Sequence, residues 1–343
     1  MIVVFTGGTG GSKLVQGLQR VVAPQELTVI VNTGDDLEWW GLHISPDVDS
    51  VLYGLAGLLS KDRGWGVEGD SFRCLERMKQ LKQPSWFALG DLDLATHLTR
   101  TALLRAGKTL SEATAELATK FGIRARVLPM SDDRVSTMLD TAKGALTFQK
   151  YFVRERHQVE VQAVRFEGAE RARPAPGVIE SIEGAEAIIF APSNPVSSIG
   201  PILAVPGVRD ALRRTTAPII AVSPIVGGAA VSGPAGALMK MMGWPSTIAG
   251  VAQAYEDFLD VLVADNADDL VVSNRQSAIS GQQSAITQIA VRRQTDSRST
   301  IHDPRPIPVR TVYTDTIMRS IDDKRELAAF VLDACAAPQS AKA

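Results

Sequence analysis

Cysteine is scarce in this chain of 343 residues: Cys74 and Cys335 are far apart and have no ligand spacing. That excludes a disulfide framework and a cysteine-based zinc site, and it suits a reducing cytosol. A surplus of one charge is also missing. Lys and Arg number 36 against 38 Asp and Glu, a formal net charge of −2. No overall basic field exists to attract nucleic acid, and the charge balance leaves room for a local anion site. A membrane-spanning run is missing as well. The most apolar stretch, 217–231, is interrupted by Pro218, Pro224, Gly227 and Gly228, and it falls short of the roughly 20 residues such a helix needs. Met1 leads straight into Ile2-Val3-Val4-Phe5 with no basic start or small-residue cleavage site, unlike a secretory signal. The sequence therefore predicts a cytoplasmic protein that engages neither nucleic acid nor membrane. No repeat with a period of roughly 20–50 residues is visible.

What is present is an ordinary globular composition, 45% apolar and 22% charged, in a chain long enough to bury a large core. Residues 2–5, 27–31, 187–190 and 218–222 are continuous apolar runs, and 261–264 is a weaker one. Unbroken apolar runs fit parallel strands covered on both faces. Helical spacing appears over 13–22, 47–59, 92–104, 111–121, 132–142 and 322–335, and 147–154 and 159–166 alternate as an antiparallel ribbon would. The pattern predicts an α/β, doubly wound, Rossmann-like fold with a mostly parallel sheet and a largely helical insertion. Residues 1–45 and 127–343 form the core in this reading, and 46–126 the insertion. The stretch 274–301 is rich in Ser, Gln, Thr and Arg and reads as a flexible loop within the core, with a basic flap that reaches the nucleotide as the alternative.

Between the first strand and the first helix lies Thr6-Gly7-Gly8-Thr9-Gly10-Gly11-Ser12-Lys13. Four glycines in five residues exceed what a tight turn needs. Glycine lets backbone approach a ligand closely, and the following helix start attracts phosphate. The glycine spacing is not that of a standard P-loop. Lys13 stands where a dinucleotide fingerprint has its third glycine, and strand two ends at Asn32 without an acid. Both facts argue against an NAD-dependent oxidoreductase.

Acidic residues cluster near strand and helix ends: Asp35-Asp36, then Ser45-Pro46-Asp47-Val48-Asp49. Two carboxylates at a helix start cap it, share a divalent cation, or accept a proton from a hydroxyl. In Leu89-Gly90-Asp91-Leu92-Asp93 and the helix after it, Asp93, His97 and Arg100 fall on one face, as a functional triad or as internal salt links. Pro129-Met130-Ser131-Asp132-Asp133 reads as a helix cap. Two later loops, 191–200 and 223–236, follow strands and offer hydroxyls, amides and glycines suited to wrapping a diphosphate.

Taken in order, Gly7-Gly8-Thr9-Gly10-Gly11, Val31-Asn32-Thr33-Gly34-Asp35-Asp36, Ser45–Asp49, Gly64-Trp65-Gly66, Leu89–Asp93, Ala95-Thr96-His97, 129–133 and Ala191-Pro192-Ser193-Asn194-Pro195 resemble the CofD family. These are the 2-phospho-L-lactate transferases of deazaflavin coenzyme biosynthesis, with their phosphoenolpyruvate-using bacterial relatives. The likeness runs to about Asp265. It implies a homodimeric, magnesium-dependent transferase that moves a phospho-acid group from a guanosine-diphosphate-linked small acid to the ribityl hydroxyl of a 5-deazaflavin (FO). GMP leaves and an intermediate of coenzyme F-420 is made.

The resemblance places Gly7, Gly8, Thr9, Gly10 and Lys13 at the diphosphate, with Ser193, Asn194, Ser197, Ser198 and Ser223 completing the nucleotide pocket. It places Asp49 at the deazaflavin and at the chemistry. A second deazaflavin position falls at Ala88, where archaeal relatives carry a basic residue. Trp65, Asp91, His97 and Arg100 complete that side, built by the 46–126 insertion. Asp49, Asp47 and Asp35 are the expected Mg²⁺ ligands. The alternative is a regulatory protein of the same superfamily that binds a nucleotide sugar and lacks transferase activity.

Overall fold

The computed structural model describes residues 1–269 and 309–336. The chain opens with β1 (Ile2–Thr6), α1 (Gly8–Leu18) and β2 (Leu27–Val31). A small hairpin, β3 (Leu37–Trp39) and β4 (Leu42–Ile44), leads into four helices: α2 (Pro46–Ala56), α3 (Arg73–Gln80), α4 (Asp91–Arg105) and α5 (Leu110–Lys120). After β5 (Arg126–Pro129) come β6 (Ser136–Thr141), β7 (Gly144–Thr147) and β8 (Val161–Glu167). The second half alternates again: α6 (Val178–Glu183), β9 (Ala187–Phe190), α7 (Gly200–Ala204), α8 (Val208–Arg214) and β10 (Ile219–Val222). It ends with β11 (Ile225–Val226), β12 (Ala229–Ala230), α9 (Ala235–Met241), α10 (Ile248–Ala254), β13 (Val261–Asp265), β14 (Arg310–Thr314) and α11 (Ile321–Ala336).

Seven strands form one parallel sheet in the order β14-β13-β10-β9-β1-β2-β5. The doubly wound α/β fold expected from the sequence is the one that forms. β1 lies inside the sheet between β9 and β2, and Val3, Val4 and Phe5 are wholly buried. Alternate residues feed two cores. Phe5, Ile188 and Phe190 face α6, α8 and the ribbon side, whereas Val4, Val29 and Ile189 face α1, α2 and α11. This two-sided burial explains the unbroken apolar runs. The chain winds outward through β2 and β5, then returns to β9 beside β1 and winds the other way. The loops after β1 and β9 therefore diverge at the carboxyl edge of the sheet, the crevice where such folds bind ligands.

Several local expectations are corrected. α1 begins at Gly8 rather than Lys13, so the glycine stretch is the first turn of the helix and not a loop before it. Residues 132–142 do not form a helix. Ser136–Thr141 is a strand with Thr137, Leu139 and Thr141 inward, the period-two alternation of a half-buried ribbon. The ribbon expected over 147–154 ends at Thr147 and is followed by a π-helical turn, Lys150–Arg154. β3, β4, β5 and β14 were not anticipated, being short or lacking a long apolar run. α2 packs on α1, β2 and β5, so the first helix after the hairpin covers the sheet, and α3 leans on α4. The 274–301 stretch lies outside the described residues. Among the described residues, no helix is long and apolar enough to cross a membrane.

Candidate functional site

A cavity of about 900 Å³ opens over the carboxyl edge of the sheet. At one end, the α1 N-terminus points into it. Gly7 is the extended N-cap and offers no side chain to the free helical N–H groups. Gly8 follows at φ +72°, a backbone state that glycine adopts without strain. The glycines also answer a packing need. A Cβ on Gly10 would sit 2.7 Å from the Pro192 carbonyl oxygen, and one on Gly7 would sit 2.7 Å from Asp47 Oδ2. A Cβ on Gly11 would strike the Thr6 hydroxyl. Three chain segments can converge here because these residues have no side chains.

Ser193 ties the loops together: its Oγ accepts the Gly7 N–H at 3.2 Å and donates to the Gly7 carbonyl at 2.8 Å. Asn194 Oδ1 caps the next turn by accepting the N–H groups of Val196 and Ser197. The Ser223 hydroxyl closes its own turn on Ile225. Ser197 is wholly buried and its hydroxyl has no partner in the protein, a donor held ready for a ligand. All ten residues expected at the nucleotide, including Thr9, Lys13 and Ser198, line the cavity. Thr316 and Arg319, which follow β14, line it as well. Asp265 Oδ2 fastens Thr316 by accepting its N–H and its hydroxyl, each at 2.9 Å.

The carboxylates come next. Asp35, Asp47 and Asp49 all line the cavity and are nearly inaccessible. Burial pushes the Asp47 carboxyl up to about 7, against hydrogen bonds from Asn32 and the Gly8 backbone. Asn32 Nδ2 donates to Asp47 Oδ2 at 2.9 Å. Burial and then the charge of Asp47 push Asp35 up, and Asp35 Oδ1 has no hydrogen-bond partner. A buried, mutually repelling pair with a spare oxygen fits a hard divalent cation. Among the described residues, no third His, Cys, Asp or Glu completes a cluster, so remaining ligands would come from substrate oxygens and water. Asp36 has a different role: it accepts the Ser45 hydroxyl and lies 3.0 Å from His43 Nε2.

At the other end, Trp65, Ala88, Asp49 and His97 line the cavity as expected residues, and Tyr53, Arg63, Trp86, Phe87 and Asp93 join them. Trp65 is 39% exposed at the mouth, with the Arg63 guanidinium 5.6 Å from its ring centre. It is not a core tryptophan. Trp86 stands edge-on to Trp39 at 4.7 Å and is thereby fixed against the small hairpin. The Asp93 carboxyl is pushed up by burial but held below its usual range by His97 and the Tyr53 hydroxyl.

Two expected residues lie elsewhere. Asp91 does not line the cavity. Its carboxylate accepts the Ser71 hydroxyl and the N–H groups of Arg73 and Cys74, capping α3. Asp70 returns the exchange by accepting the N–H groups of Leu92 and Asp93 in α4, and Gly90 leaves room for that carboxylate. The Leu89-Gly90-Asp91 segment is thus a reciprocal capping device. Arg100 is wholly buried behind Asp49 and does not reach the cavity. Asp132 accepts the Ser111 N–H at the start of α5 instead of capping a helix of its own.

Comparison with known proteins gives this geometry a family. The family described as 2-phospho-L-lactate transferase CofD matches residues 2–303. The chain is 45% identical over 267 residues to the 2-phospho-L-lactate transferase of Methanosarcina mazei, covering 78% of this chain and 88% of that one. It is 44% identical over 283 residues to the phosphoenolpyruvate transferase of Streptomyces griseus, covering 81% and 89%. The chain belongs to the CofD family. It is a transferase. A UPF0052-family crystal structure from Bacillus halodurans shares the fold at 18% identity, with a TM-score of 0.52 over 80% of this chain and 84% of that one.

The CofD residues missed by sequence reading are aromatic or paired. Asp93 was visible as one face of α4, but its partner Tyr53 lies 40 positions away on α2, and no local spacing announces that contact. Trp86 and Phe87 directly precede the expected site residue Ala88, one position before Leu89-Gly90, so their place beside a recognised motif is the available signal. Phe148 and Phe152 line the cavity and stack at 5.5 Å, with Phe152 on the Lys150–Arg154 turn that replaces the strand expected over 147–154.

Proposed function

We propose that this CofD-family enzyme transfers a phospholactyl or enolpyruvyl-phosphate group from a guanosine-diphosphate-type donor to the ribityl hydroxyl of a 5-deazaflavin (FO). The reaction releases GMP and belongs to coenzyme F-420 biosynthesis. The observation that carries the reading is one continuous cavity with a glycine-lined helix N-terminus at one end and an aromatic, carboxylate-lined berth at the other. The names of the Methanosarcina and Streptomyces relatives support both acids.

The hydroxyl oxygen attacks the phosphorus next to the acid, and the bond to the GMP phosphate oxygen breaks in line. The bond pair leaves with GMP, and the hydroxyl proton passes to Asp49 or to water. Most of the acceleration comes from positioning and charge neutralisation. The N–H groups of Gly8 to Gly10, the Ser197 hydroxyl and Lys13 hold the diphosphate. Asp49 orients the alcohol, while Trp65, Trp86 and Phe87 clasp its ring system. Asp35 and Asp47 would hold Mg²⁺, which supplies charge neutralisation at the diphosphate.

Asp49→Asn tests the assignment. Transfer should fall about 100-fold or more, while GDP binding stays within about twofold. Wild-type transfer in that variant would remove Asp49 from the reaction. The regulatory alternative predicts nucleotide binding with no transfer in any variant.

A further inference from the structure

Behind the acceptor end of the cavity, buried side chains form one connected chain. Arg100 of α4 grips both oxygens of Asp49 on α2: Nη1 donates to Oδ2 at 3.1 Å, and Nη2 donates to Oδ1. Nη1 also lies 3.3 Å from His97 Nδ1. A guanidinium offers only donors, so His97 Nδ1 is the acceptor in this contact and the ring proton sits on Nε2. Nε2 is 3.1 Å from Asp93 Oδ1, close but poorly aligned for a full hydrogen bond. The same oxygen receives the Tyr53 hydroxyl at 2.6 Å. Asp49, His97, Asp93 and Tyr53 face the cavity, whereas Arg100 is 0% exposed and stays behind them.

Taking a guanidinium wholly out of water is costly, and apolar packing often stabilises such a position better. The fork geometry explains what the arginine adds. Two parallel bonds fix a carboxylate in rotation and in direction, which a single ammonium contact does not do. The free lone pairs of Asp49 then point away from Arg100, toward the cavity.

We propose that Arg100 is a positioning residue for the transfer: it acts through Asp49, presetting that carboxylate toward the incoming alcohol, and it locks His97 as the Nε2–H tautomer. Arg100 touches no substrate. This inference rests on the transferase reading above. It assigns the cation of α4 to orientation, not to stabilising the migrating phosphoryl group.

The test is steady-state transfer with a deazaflavin alcohol and a GDP-linked phospho-acid, measured for wild type, Arg100→Lys, Arg100→Gln, Asp49→Asn and the double variant Arg100→Gln/Asp49→Asn. Arg100→Lys keeps the charge and loses the fork. It should lower kcat about 10-fold or more, with the donor KM within about twofold, because the glycine-lined end is untouched. The double variant removes both charges together, which avoids an unpaired buried ion. It should fold and be no slower than Asp49→Asn alone. Wild-type kcat in Arg100→Lys would overturn the proposal. So would a double variant slowed below Asp49→Asn by the full factor measured for Arg100→Gln alone, because Arg100 would then act independently of Asp49. A wild-type enzyme that forms no product would overturn the transferase reading itself, which separates the two failures.

Discussion

Asp49 and Asp91 are both first-turn aspartates, one in α2 and one in α4, and their neighbours give them different work. Asp49 is held by Arg100 at a cavity wall. Asp91 spends its carboxylate on Ser71 and on the N-terminal N–H groups of α3. Asp91→Ala should therefore lower the urea midpoint of unfolding by removing a cap, yet leave kcat/KM within about twofold. A loss of transfer with unchanged stability would return Asp91 to the site. The same contrast explains what could be read beforehand. The Asp93, His97 and Arg100 spacing was visible in the sequence, and its two interpretations were a functional face and internal salt links. The structure uses both: His97 and Asp93 face the cavity, and Arg100 pairs behind it.

At the scale of elements, the first turn of α1 carries two demands at once. It presents N–H groups to a ligand, and it must nest against Thr6, Pro192 and Ser193. Gly11→Ala should push this turn away from the Thr6 and Ser193 hydroxyls and weaken GDP binding about 10-fold, with the far end of the cavity unaffected. Calorimetric titration with GDP would check this, and unchanged affinity would show that the close approach is dispensable.

Continuous apolar strands such as β1, β2 and β9 were legible because burial on both faces leaves an unmistakable run. The sequence predicts a helix where β6 forms, because the inward residues Thr137, Leu139 and Thr141 are mostly polar. Their burial depends on tertiary partners, such as the Thr137 N–H on the Gly34 carbonyl. The site followed the same division. Glycines and carboxylates next to strand ends are legible, and Tyr53 and Arg319 are not, because each enters the cavity through contacts distant in sequence.

The whole molecule assembles its cavity between β1 and β9, where the winding of the chain across the parallel sheet changes direction, and that concentrates acidic groups there. Such a concentration has a pH signature. The Asp47 carboxyl sits at about 7 in the folded protein, whereas an unfolded aspartate titrates near ~4. The folded state therefore binds more protons across this window, and stability falls as pH rises through it. Mg²⁺ held by Asp35 and Asp47, as proposed above, would favour the ionised pair and should offset the loss. Without divalent cation, the thermal midpoint should drop between about pH 5 and about pH 8. Added Mg²⁺ should raise it more at the higher pH, and Asp47→Asn should flatten both effects. An equal Mg²⁺ effect at both values would place the cation elsewhere.

The most direct measurement joins both ends of the cavity in one assay. The purified enzyme is incubated with FO, Mg²⁺ and the guanosine-diphosphate conjugates of lactate and enolpyruvate phosphate, and the products are weighed by mass spectrometry. The account predicts one equivalent of GMP for each phosphodiester formed on the ribityl chain, with at least one of the two acids. Hydrolysis of the donor without a deazaflavin adduct, or no turnover of either conjugate, would contradict it.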